Sequence, residues 1–150
     1  MRTLRRSLAN AASGLRHVWS TERNMRVHAA TGALVSAAAW LGGLPTQSIL
    51  FVLSAVAAVI FAEIVNTAIE SLVDLSTREF HPLAARCKDM AAGAVLVAAL
   101  YAAVVGLVVF LPELPSVVGN LAAAVESRPL AVGLAAVVVA ILWREALAGK

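Results

Sequence analysis

Residues 48–60 carry no ionisable side chain, and after Ser48 at the start Ser54 is the only polar residue of the run. Lipid offers backbone N–H and C=O groups no partner, so a run of this kind spans as a helix or as part of a closed barrel. It continues without Pro or Gly into Phe61-Ala-Glu63-Ile-Val-Asn66-Thr-Ala-Ile-Glu70-Ser-Leu-Val-Asp74, where polar residues recur at helical spacing. The composition agrees: 61% hydrophobic residues, 14% charged and a mean hydropathy of +0.86 lie outside the range of soluble domains. The chain reads as all-α, an integral membrane helical bundle of one domain.

Over residues 4–19, Leu4, Leu8, Ala12, Leu15, Val18 and Trp19 take one side of a helix, and Arg2, Arg6, Ser13, Arg16, His17 and Ser20 the other. That pattern predicts an amphipathic helix lying on the membrane surface. A secretory signal would need its apolar region directly behind Arg5-Arg6, whereas here it begins at Ala29. Three core spans are expected over about 27–44, 47–75 and 83–111. The first is short against the ~20 residues a span takes and is closed by Gly42-Gly43-Leu44-Pro45. Pro112 and Pro115 are expected to end the third. A loop over 112–129, with a short surface helix around 117–125, then leads to a fourth apolar helix at about 130–143. Trp40 and Trp143 suit interface anchors, and the four-residue spacing of Ala98, Ala102 and Gly106 suits close helix packing.

The formal net charge is +3, and six of the twelve Lys and Arg residues precede position 29. No aromatic platform interleaves them, so they fit an anionic cytoplasmic leaflet rather than a nucleic acid. With basic residues inside, residues 1–28, Arg78, Arg86, Lys88, Arg144 and Lys150 are cytoplasmic and the Pro45-Thr46-Gln47 turn is outside. A single cysteine, Cys87, excludes an intrachain disulfide, and His17, His28 and His81 lack zinc-type spacing.

At 3.6 residues per turn Glu63, Asn66, Glu70 and Asp74 fall within about 80° of one helix face. Ionisable groups at membrane depth are costly and mark function. If the second span starts near Thr46, Glu63 lies about 26 Å along it, just inside the cytoplasmic boundary of a ~30 Å hydrocarbon core. A lipid head group and a soluble nucleotide can meet there. Glu22 lies where the surface helix meets the first span, and Lys88-Asp89 near the start of the third, all at the same level. A carboxylate pair can hold a divalent metal between phosphate oxygens, a lysine can neutralise phosphate charge, and a separate carboxylate can take a hydroxyl proton. This is the inventory of a phosphoryl-transfer site. Taken one at a time the residues have plainer readings. Asp74, Arg78 and Glu79 suit solvated span ends, Glu22 beside Arg23 suits an exposed ion pair, Lys88-Asp89 suits a positive-inside helix end, and His81 before Pro82 suits a turn.

Three stretches in order, Glu22-Arg-Asn-Met-Arg-Val-His28, the Glu63 to Asp74 stripe, and His81-Pro-Leu-Ala-Ala-Arg-Cys-Lys88-Asp89-Met-Ala-Ala-Gly-Ala-Val-Leu96, resemble the prokaryotic diacylglycerol kinase family over about residues 4–111. The first and third are most similar to its Gram-positive branch, which phosphorylates undecaprenol. The resemblance implies a homotrimeric membrane kinase with three spans and a surface helix per protomer, using ATP and Mg2+ on undecaprenol, or on diacylglycerol as the alternative lipid. It implies residues 1–111 as the lipid kinase core, in the plasma membrane with its site on the cytoplasmic side. By motif position, Glu63 is the general base at the lipid hydroxyl, with Asn66 supporting it. Glu22 and Glu70 hold metal and ATP phosphates; Glu79, His81, Lys88, Asp89 and Asp74 contact the nucleotide; Arg16 and Arg26 lie near the lipid substrate. Two departures stand out. The fourth apolar segment has no counterpart in a three-span core, and Asn10 takes the place of an aromatic residue that contacts nucleotide in diacylglycerol-type members. A non-catalytic subunit or ion pathway is the competing class, but a pathway needs polar groups across the whole bilayer and the stripe occupies one end.

Overall fold

Helix ends in this chain are set by Gly, Pro and extended single residues. The computed structural model describes residues 4–77 and 79–148; Arg2, Arg78 and Lys150, used above to orient the chain, lie outside the described residues. The helices in order are α1 (Leu4–Thr21), α2 (Arg23–Leu41), α3 (Thr46–Ser76), α4 (Pro82–Ser127) and α5 (Pro129–Leu147). Among the described residues there is no strand. Glu22, with extended φ and ψ of −99° and 113°, separates α1 from α2. Gly43, at φ +71°, makes the turn between α2 and α3, a conformation that a residue with Cβ adopts only at a cost.

Three helices, α3, α4 and α5, are long and apolar enough to cross a membrane. The expected fourth apolar segment is thus a full helix, longer at both ends than 130–143. The expected first core span is a helix as long as α5 but less apolar, because Arg23, Arg26 and His28 occupy the opening turns of α2. It is supported from the side: α2 packs against α3 and α5, while α3 and α4 form the most extensive pair. The approach of α2 to α3 is close at Gly32, where an added Cβ would come within 2.6 Å of Val56 Cγ1.

The interval 112–129, expected as a loop with a short helix, is helical up to Ser127. Pro112 and Pro115 lie inside α4 and do not end it, because a proline removes one ladder bond and the neighbouring structure holds the rest. Val117 is 3% exposed and clusters with Ala39 and Leu44. Three residues on, Asn120 Nδ2 donates to the carbonyl oxygen of Gly42 at 2.8 Å. The end of α4 is thereby fastened to the α2–α3 turn. Arg128, non-helical at φ −137° and ψ 53°, breaks the path, and Pro129 opens α5, as expected of a residue before proline and of proline at a first helical position.

The spacing of Ala98, Ala102 and Gly106 predicts tight packing, and Gly106 contradicts it. An added Cβ there meets no atom within 4 Å, so on this part of α4 small residues leave room instead of filling it. Overpacking a filled interface costs about 1–3 kcal/mol. Gly32→Leu is therefore expected to lower the thermal unfolding midpoint in detergent, while Gly119→Leu, in open space, leaves it unchanged.

Candidate active site

The buried face of α3 runs Val52, Ala55, Val59, Glu63, Asn66 and Thr67, positions that share one side of a helix. Glu63 is 2% exposed although its side chain is charged in water. A carboxylate taken out of water without partners is strongly unfavourable, so its surroundings matter. His28 Nε2 of α2 stands 3.2 Å from Glu63 Oε1. The contact is close, yet its geometry falls short of a hydrogen bond and Oε1 has no hydrogen-bonding partner. Thr67 Oγ1 donates to the Glu63 backbone carbonyl oxygen at 3.0 Å and so does not occupy the carboxylate.

One turn further, Asn66 Nδ2 donates to Glu70 Oε1 at 3.1 Å, which leaves the buried Asn66 Oδ1 unpaired. Glu70 is half-buried, and so is Glu22 at the α1–α2 junction. Both carboxylates are near enough to act electrostatically on Glu63. Glu22, His28, Glu63, Asn66 and Glu70 thus belong to one neighbourhood drawn from three segments of the chain.

A second cluster lies at the end of α3 and the start of α4. Asp74, Glu79, His81 and Lys88 line one cleft of about 270 Å³, gathering four of the five residues expected to contact nucleotide. Lys88 Nζ and Asp74 Oδ1 are 2.5 Å apart, so Asp74 is an exposed carboxylate with a partner. His81 Nδ1 accepts from the Leu83 N–H and caps α4; the turn role read from His81-Pro82 holds, and Nε2 is left for other work. Thr77 Oγ1 accepts from the Glu79 N–H at 3.3 Å, which orders the connection.

The other expected residues stand apart. Asp89, the fifth, is exposed and lines neither cluster, and Arg16 is exposed on α1. Arg26 is 8% exposed and its guanidinium Nη1 donates to the Trp19 carbonyl oxygen at 2.9 Å, tying α1 to α2; its Nε is buried without a partner. His28 is the residue that reading the sequence missed. It has no zinc-type spacing in the sequence, although it ends the stretch that starts at Glu22 and begins a face continued by Thr31, Gly32 and Val35.

Those α2 residues, with Val52 to Val59 of α3 and Ala99 to Gly106 of α4, line a half-open, largely apolar slot of about 290 Å³. His28 is its polar end.

The family described as prokaryotic diacylglycerol kinase matches residues 9–110. The chain belongs to that family. It is 38% identical over 109 residues to an undecaprenol kinase of Bacillus subtilis, covering 73% of this chain and 89% of that protein. It is also 40% identical over 111 residues to a diacylglycerol kinase of Synechocystis, 73% of this chain and 63% of that one. A diacylglycerol kinase of Escherichia coli K12 is 38% identical over 92 residues, 61% and 75% respectively. This member of the prokaryotic diacylglycerol kinase family is a membrane lipid kinase, an enzyme that phosphorylates an alcohol group with ATP as donor. The match ends two residues before Pro112, so the last part of α4 and all of α5 lie beyond it.

The Lys88 and Asp74 side chains are 37% and 65% exposed, and exposed pairs contribute at most about 1 kcal/mol. Asp74→Asn is therefore expected to change unfolding free energy by less than about 1 kcal/mol. A larger loss would mean the pair braces α3 against α4.

Proposed function

We propose that this chain transfers the γ-phosphoryl group of ATP to undecaprenol, using Glu63 as the base. One observation carries the chemistry: a carboxylate 2% exposed, 3.2 Å from an imidazole and without a hydrogen bond to its free oxygen, at the junction of an apolar slot and a polar cluster. The lipid is chosen on the undecaprenol kinase of Bacillus subtilis, of which this chain covers 89%. Diacylglycerol is the second reading, supported by the diacylglycerol kinases of similar identity.

In this reading the nucleotide lies in the cleft of Asp74, Glu79, His81 and Lys88, with Asp89 at its edge. Lys88 offsets phosphate charge as a point cation. Glu63 takes the hydroxyl proton of the lipid, the freed oxygen pair forms a bond to the γ-phosphorus, and the bond from that phosphorus to the β–γ bridging oxygen breaks to release ADP. Positioning and charge neutralisation supply most of the rate in phosphoryl transfer, and a positioned base adds about 10²–10⁴-fold.

Among the described residues no group of three or more His, Cys, Asp and Glu side chains is set to hold a metal by itself. Mg2+ fits nonetheless, because it is held through one or two carboxylates with substrate phosphates and water completing its shell. Glu22 and Glu70 are that pair, and the unpaired Asn66 Oδ1 beside Glu70 is a further oxygen of the right kind. When bound, Mg2+ would neutralise charge developing on the phosphates.

Residues 1–111 form the kinase core in this proposal and 112–150 an appended element. The basic N-terminal region supports a site on the cytoplasmic side of the plasma membrane, and the resemblance to the family supports a homotrimer. Arg16 and Arg26 lie toward the lipid, with Arg26 acting through its hold on Trp19.

Glu63→Gln keeps size and removes basicity. Its turnover with ATP, Mg2+ and undecaprenol in micelles is expected to fall at least ~10²-fold while ATP still binds; near-normal turnover would remove Glu63 as base. Glu70→Gln is expected to raise the Mg2+ concentration for half-maximal rate, and an unchanged Mg2+ dependence contradicts its role as ligand. Wild-type turnover of diacylglycerol alone reverses the order of the two lipids.

A further inference from the structure

The helix that carries His28 is held from two sides. Its front is the face of His28, Gly32 and Ala39, which meets α3: His28 Nε2 stands 3.2 Å from Glu63 Oε1, and Gly32 lies against Val56. Ala30 follows His28 by two residues, a turn of about 200°, and so begins the back of the helix, continued at helical spacing by Ala33 and Ala37. Ala30 has no exposed surface and the other two are half-buried, whereas Thr31 and Leu34 are exposed. The helix behind α2 is α5, whose principal contact is α2; α5 also touches α4 but neither α1 nor α3. On α5 the covered residues Ala131, Ala135, Val139, Leu142 and Ala146 fall within about 80° of one side. Ala146, in the last turn, has no exposed surface, so this contact lasts to the end of the helix, while Leu134, Val138 and Ile141 face outward.

The path of the chain sets the direction of this contact. Asn120 is bonded to Gly42, just beyond the end of α2, α5 opens soon afterwards at Pro129, and α2 and α5 are both 19 residues long. α5 therefore returns along α2 toward its first turns, where His28 lies. Helices in lipid associate by close packing of small residues, with no hydrophobic drive between them, and α2 is not among the helices apolar enough to span by themselves. Held between α3 in front and α5 behind, it has one seating. We propose that α5 is a brace that seats His28 against Glu63, with Ala30, Ala135 and Ala146 as positioning residues for the carboxylate that acts as base. This rests on Glu63 as the base and adds what fixes its neighbour; α5 lies wholly beyond the residues that match the family.

The test uses the full-length protein in detergent micelles with ATP, Mg2+ and whichever of undecaprenol and diacylglycerol the wild type phosphorylates. Ala146→Leu adds an isopropyl group where there is no exposed surface, and overpacking of that kind shifts backbone. Its kcat is expected to fall roughly tenfold or more, within the ~10²-fold that a misplacement of about 1 Å costs. The KM for ATP stays near wild type, because Asp74 and Lys88 are on α3 and α4. His28→Ala is expected to give a similar loss, and Ala146→Leu added to it no further one, as for residues that act through each other. A variant that merely loosened the fold would instead lower activity by the same factor in both backgrounds. Ala146→Ser, which stays small, and Ala136→Leu, on an exposed side of α5, keep the wild-type kcat. Should Ala146→Leu yield no folded protein, the milder Ala135→Val is read in its place by the same criteria. An unchanged kcat in Ala146→Leu or in His28→Ala, or equal losses in the two backgrounds, overturns the proposal. Near-normal turnover of Glu63→Gln removes the base and the proposal with it, whereas an inactive Glu63→Gln beside an unaffected Ala146→Leu removes the brace alone.

Discussion

The structure turns on keeping one carboxylate dry. Burying Glu63 in α3 among apolar residues is costly unless other polar groups are brought to it, and none is available on the apolar turns before it. Its neighbours come from elsewhere: His28 from α2, with Glu22 at the junction before that helix, and Asn66 and Glu70 from the next turns of α3. His28 reaches Glu63 because α2 and α3 meet closely one turn further along, where Gly32 has no Cβ to hold Val56 away. A glycine with no chemistry of its own thus sets the distance between two groups that have it.

The polar cluster is graded in water access along one helix. Glu63 and Asn66 are buried, Glu70 is half-buried and Asp74 is exposed. This order follows from the helix emerging from an apolar environment. Lys88 links the two helices that bracket the wet end through its pairing with Asp74.

Much of this was legible in the sequence, because the signals concerned were local. Helical spacing put the four stripe residues on one face, Glu22 marked the break between α1 and α2, and His81-Pro82 announced the start of α4. The failures concern information carried by other segments. Prolines 112 and 115 read as terminators on their own, but Val117 and Asn120 fasten the following turns to the α2–α3 turn, and no window on α4 alone contains that fact. Ala102 and Gly106 have the spacing of a tight helix contact, and only the placement of α2 decides that they face a slot instead. His28 is silent in the sequence for the same reason: a lone histidine means little until the opposing carboxylate is 3.2 Å away.

The pairing of α5 with α2 has an architectural effect. In a chain ending near residue 110, where the family match stops, α2 would have open flanks for lipid or for neighbouring protomers. Here α5 returns from the Arg128 break and occupies part of that surface. That flank of α2 is therefore covered by the chain's own last helix. The helix beyond the family match thus closes a surface that would otherwise meet lipid.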